Sequence, residues 1–111
     1  MPKAARHMVR LIARALVLVT LAPASFAQGP PDPLALERLV RQDCGSCHGM
    51  TLKGGLGPDL LRGRLTGREP GTIARIILDG VQGTPMPPWR PLLSEAEALW
   101  IANYLLDGTA P

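Results

Sequence analysis

The chain has 111 residues, 46% hydrophobic, 4% aromatic and 19% charged, with a formal net charge of +3. That positive balance belongs to the leader: Lys3, Arg6, Arg10 and Arg14 supply four of the 12 basic side chains, leaving eight against nine acidic ones downstream, a net of −1. No basic stripe with interleaved aromatics remains, which excludes a nucleic-acid binder.

In chain order, residues 1–27 read as a secretory signal peptide. A basic stretch is followed by the apolar run Ala15–Ala22, and small residues at Ser25 and Ala27 offer a cleavage site after Ala27. The competing reading is an uncleaved anchor, although the apolar run is shorter than the ~20 residues needed to cross a bilayer. No stable membrane span is expected after cleavage. Residues 28–111 then form one domain of 84 residues, whose aromatic filling is limited to Trp89, Trp100 and Tyr104. A domain of this size buries a modest share of its surface and commonly needs a staple, metal or cofactor.

Within the domain, Asp32 and Pro33 are placed as N-cap and first residue of a helix, with Leu34, Leu36, Leu39 and Val40 on its apolar face up to Cys44. The glycine-rich stretch 49–71 reads as loop, with at most a turn of helix around Asp59 to Arg62. "GTIARIILDG" predicts a short helix with Ile73, Ile76 and Ile77 on one side and Gly80 as its C-cap. "VQGTPMPPWRP" carries four prolines and cannot be regular structure. "SEAE", from Ser94, is a capping box opening a last helix that would bury Leu99, Ala102, Leu105 and Leu106 and stop at Gly108. The class is all-α, three to four short helices joined by long loops. Loops of that length in so small a domain make sense when they wrap a large rigid ligand.

"CGSCHGM", residues 44–50, contains both cysteines of the chain, followed directly by a histidine. C-x-x-C-H is the attachment pattern of c-type haem. At helical spacing, Cys44 and Cys47 face one side, so both thiols can reach the vinyl groups of one porphyrin, and His48 can put a ring nitrogen on the iron. Three other readings compete, and the first, merely buried cysteines, would not need a following histidine. A disulfide is allowed in an oxidising compartment, although a thioredoxin-like site sits near a βαβ pattern that is absent here. A structural zinc site wants four Cys or His ligands, and beyond the leader there are three.

With His48 the sole histidine after the leader, a second axial ligand would come from Met50 or Met86. Met50 is too close to His48 in the chain to reach the opposite face. Most methionines are core gap-fillers, but Met86 stands in a loop stiffened by Pro85, Pro87 and Pro88, far along the chain from the histidine. It is the expected second ligand, in a His/Met set that suits electron transfer. "GLGPDL" could present the Pro58 carbonyl to His48, since an iron-bound histidine usually donates its other N–H to such a group; the plainer alternative is an ordinary surface turn.

With "CGSCH", "GLGPDL", "TPMPPW" and a last helix carrying "ANYL" in that order, residues 34–106 resemble the class I cytochromes c. "CGSCHGMTLKGGLGP" and "GTPMPPWRPLLSEAEALW" narrow the resemblance to the small periplasmic monohaem cytochromes found with cytochrome cd1-type nitrite reductases of denitrifying bacteria. The resemblance implies one covalent haem c, with thioethers from Cys44 and Cys47 and axial ligation by His48 and Met86. It also implies a monomeric periplasmic carrier that delivers electrons to the nitrite reductase, or a redox step in making its haem d1. The chain departs from many class I members in lacking a glycine–aromatic pair on the first helix to pack against Tyr104; Leu39 and Val40 are expected to substitute.

Overall fold

The structure is a computed structural model that describes residues 29–110; the expected signal peptide and its cleavage site lie outside them. The described chain folds as α1 (Pro33–Leu39), a π-helical turn (Val40–Cys44), α2 (Gly45–His48), α3 (Arg62–Leu65), α4 (Pro70–Asp79) and α5 (Glu95–Asp107), with no strand among the described residues.

Asp32 caps α1 as its sequence suggests. Its Oδ1 accepts from the N–H groups of Leu34 and Ala35 at 3.1 and 3.4 Å, with Pro33 at the first helical position. The helical course then runs beyond Cys44 to His48 through the π-helical turn. A π turn takes one residue more than an α turn, so the residues beyond it are rotated by about 100° from their places on an uninterrupted helix. Periodicity gave no sign of it.

The core is built chiefly where α4 packs on α5, with α1 and α3 also against α5. Val40, Leu52 and Ile101 are its largest fully buried side chains. Val40 is buried in the core cluster that contains Tyr104, and Leu39 is partly buried against that cluster. Trp100 stacks on Tyr104 with ring centroids 5.1 Å apart. Ser94 and Glu97 form the expected capping box of α5, and Gly108 ends it in the left-handed conformation.

Several expected facings are corrected. Leu34 and Leu99 are exposed, at 68% and 42%, and Ile76 also reaches solvent. On α5 the buried stripe is Ala98, Ile101, Ala102, Tyr104 and Leu105, which includes the expected Ala102 and Leu105 but has Ala98 in place of Leu99. On α4 it is Ile73, Ala74, Ile77 and Leu78. In both helices the phase is set by the partner helix across the core, and small alanines face inward where the helices approach. The turn of helix placed around Asp59 begins instead at Arg62. Asp59 Oδ1 accepts the Leu61 N–H at 2.7 Å, which makes Asp59 part of the turn leading in.

Leu52 is the one unusual backbone position. It is fully buried at φ +58°, and it is the only non-glycine residue with positive φ among the described residues. A left-handed leucine costs roughly 1–2 kcal/mol, which the burial of its side chain offsets. Leu52 thus pins the glycine-rich loop to the core.

Candidate haem site

Cys44, Cys47 and His48 lie at the end of the first helical course. Both cysteines are free and half-buried, and the His48 ring is buried. Burial, then the neighbouring Asp43 carboxylate, pushes the Cys44 thiol up to about 11. A thiol held neutral in this way is a poor nucleophile, so Cys44 is not the activated cysteine of a dithiol redox motif. Among the described residues no three His, Cys, Asp or Glu side chains gather as a metal cage.

The loop after His48 folds back beneath the ring. Gly49, at φ +88°, ends the helix, and its Cα faces the Gly54 carbonyl so closely that a Cβ would meet that oxygen at 2.6 Å. The Gly54 N–H donates to His48 O and the Gly57 N–H to Cys47 O, each at 2.8 Å. This return brings the Pro58 carbonyl to 2.6 Å from His48 Nδ1. A carbonyl only accepts, so Nδ1 carries the proton and Nε2 presents a lone pair. The sequence placed Pro58 in this role, and the contact is there. Sequence reading missed the steric part. A Cβ on Gly57 would lie 2.7 Å from His48 Cε1 and 2.8 Å from Nδ1, so only a bare Cα allows the loop to lie flat against the imidazole.

Met86 comes from a separate segment and is half-buried. The Val81 N–H donates to Met86 O at 3.2 Å and the Met86 N–H to Thr84 Oγ1 at 3.3 Å, closing a small ring. Beyond it, the N–H groups of Trp89 and Arg90 donate to the carbonyls of Ile77 and Leu78, both at 3.1 Å. The Arg90 guanidinium also bonds Asp79 Oδ1 at 2.6 Å. The methionine loop is therefore strapped to the last turn of α4. Met50, by contrast, is 66% exposed beside Gly45. Leu56, Pro87 and Pro88 are all exposed.

Two free thiols at i and i+3, beside an imidazole whose Nδ1 is already engaged, form a donor set that fits haem c. A helical fold with this motif at a helix end defines the class, a class I cytochrome c. A family described as "Cytochrome C oxidase, cbb3-type, subunit III" matches residues 31–105. Cytochrome c55X of Paracoccus denitrificans (strain Pd 1222) is 54% identical over 95 residues, covering 83% of this chain and 91% of that protein. The solved structure of the "c-type cytochrome NirC" superposes with a TM-score of 0.70 at 45% identity, covering 73% of this chain and 100% of that one. The dihydro-heme d1 dehydrogenase of Pseudomonas aeruginosa is 36% identical over 97 residues, covering 87% of this chain but 19% of that larger protein. The chain belongs to the cytochrome c family, as a member of its c55X/NirC-like group. Membership implies haem c as the cofactor and electron transfer as the activity. No helix among the described residues is long and apolar enough to cross a membrane.

Proposed function

We propose that this protein is a periplasmic one-electron carrier, exported by residues 1–27, that donates electrons to a cytochrome cd1 nitrite reductase. Cys44 and Cys47 would hold the porphyrin as thioethers, and His48 and Met86 would supply the protein ligands to its iron. When bound, the haem supplies the one-electron couple. His48 offers Nε2 while Pro58 holds its Nδ1 proton and sets the ring's orientation. The strapped loop presents Met86 without a large loss of freedom on ligation, because its backbone is already ordered by hydrogen bonds and prolines. The observation that carries this reading is the 2.6 Å contact between His48 Nδ1 and Pro58 O, directly beside two free thiols.

Docking is expected to use the apolar surface of Leu56, Pro87 and Pro88. With Lys53 the sole lysine beyond residue 27, the chain cannot present a lysine ring to an acidic partner. Arg62, Arg64 and Arg68 are exposed and give local attraction only.

A second reading, oxidation of a haem d1 precursor, is favoured by the similarity to dihydro-heme d1 dehydrogenase. Stopped-flow mixing separates the two. The reduced protein should be oxidised by purified cytochrome cd1 nitrite reductase in one-electron stoichiometry. Reduction of the oxidised protein by the d1 precursor, with no reaction toward the reductase, would establish the maturation role instead.

A further inference from the structure

Gly80 ends α4 at φ +67°, and its sequence context marks it only as a helix C-cap. The structure gives it a second task. A Cβ at this position would lie 2.7 Å from the Met86 carbonyl oxygen and 2.8 Å from both Pro87 C and Pro88 N. All three are main-chain atoms of the segment that carries the methionine, so no side-chain rotation relieves the contact. Nor can that segment bend away easily. Pro87 and Pro88 have ring-fixed φ, and Met86 and Pro87 each precede a proline, which restricts them further. The segment is also tied down on both sides, by Val81 N–H on Met86 O and by Trp89 and Arg90 on the last carbonyls of α4.

We propose that Gly80 is a positioning residue for Met86. Its bare Cα is the surface on which the rigid Met86–Pro88 backbone rests, and the height of that surface sets where the thioether stands. This rests on the reading of Met86 as an iron ligand. A side chain at position 80 would lift the Pro87–Pro88 unit as one body and carry the Met86 sulfur off its place, leaving the His48 side untouched.

Gly83 supplies the control. It lies in the same loop at φ +79°, but a Cβ there meets nothing within 4 Å. Gly83→Ala therefore carries a positive-φ penalty without the contact. Gly80→Ala carries the contact together with the penalty of a backbone region, φ +67° and ψ −171°, open essentially only to glycine; the double variant below separates those two.

The readout is imidazole binding to the ferric holoprotein, because imidazole must displace the methionine, together with the charge-transfer absorption of a thioether on ferric haem. Gly80→Ala should bind imidazole at least about tenfold more tightly than the native protein and lose much of that band. Gly83→Ala should stay within about threefold of native. In Gly80→Ala/Pro88→Ala the freed backbone should move the affinity back toward native. Equal behaviour of the Gly80 and Gly83 variants, or no recovery in the double variant, would overturn the proposal. If Gly80→Ala yields no holoprotein, recovery of holoprotein in the double variant supports the contact, and failure to recover counts against it. Met86→Ala separates the two levels. An imidazole affinity unchanged in that variant would refute Met86 as ligand, whereas tight binding in it with native behaviour in Gly80→Ala would refute only the role of Gly80.

Discussion

Gly57→Ala tests how closely the loop is fitted to His48. Gly57 lies outside the left-handed region, so alanine carries no backbone penalty there and the effect comes from contact alone. The new methyl would sit 2.7 Å from His48 Cε1 and 2.8 Å from Nδ1. Ordinary contact needs roughly 0.7 Å more. A shift of that size along the bond would stretch the 2.6 Å hydrogen bond to Pro58 O to about 3.3 Å, the outer edge of hydrogen-bond range, and so remove most of its strength. Overpacking costs about 1–3 kcal/mol, and an orphaned buried donor costs a further ~1–3 kcal/mol. A total of about 2–6 kcal/mol should lower the melting temperature of the holoprotein by at least ~8 °C. The potential should move as well. The Pro58 bond raises the basicity of the imidazole and so favours ferric iron. Losing ~1 kcal/mol of that preference should raise the potential by about 40 mV. Differential scanning calorimetry and potentiometric titration of the same holoprotein read both effects. A melting temperature within about 2 °C of native, with the potential unmoved, would show that the ring has room to yield and that the fitting argument is wrong.

Three further outcomes are expected. Met86→Ala should keep its haem, since Cys44, Cys47 and His48 are untouched, but bind carbon monoxide and show a lower potential, opposite in sign to Gly57→Ala; an unchanged spectrum and potential would make Met86 a packing residue. Cys44→Ala/Cys47→Ala should lose most of its helical circular dichroism, because porphyrin burial at ~25 cal/mol per Å2 contributes several kcal/mol to so small a domain; a cooperative, native-like melt of that variant would sink the idea. Leu52→Ala should be destabilised by about 2–5 kcal/mol, yet Leu52→Gly should be no worse and by about 1 kcal/mol better, since glycine alone relieves the left-handed strain. The urea midpoints of the two variants rank them, and an alanine variant clearly above glycine would mean that the loop relaxes out of that conformation.

The features legible in the sequence are the local ones. The C-x-x-C-H motif, the Asp32 cap with Pro33, the Ser94 capping box and the Gly108 stop depend on residues within a few positions of one another. All are found where the residues put them. The Pro58 carbonyl was also legible, because an iron-bound histidine usually donates its other N–H to such a group and the Gly57–Pro58 turn could present one. What only the tertiary structure decided depends on segments distant in the chain. The buried stripes of α4 and α5 take their phase from each other, so Ile76 and Leu99 face out although both are apolar. The π turn before Cys44 and the left-handed Leu52 are local strains held in place by surrounding contacts, and no residue pattern announces them. Gly57 and Gly80 read as a turn glycine and a helix cap until the fold lays an imidazole against one and a proline-stiffened backbone against the other. A glycine shows in the sequence that the backbone has freedom; which atoms occupy the space left by its missing side chain is settled only when remote parts of the chain pack against it.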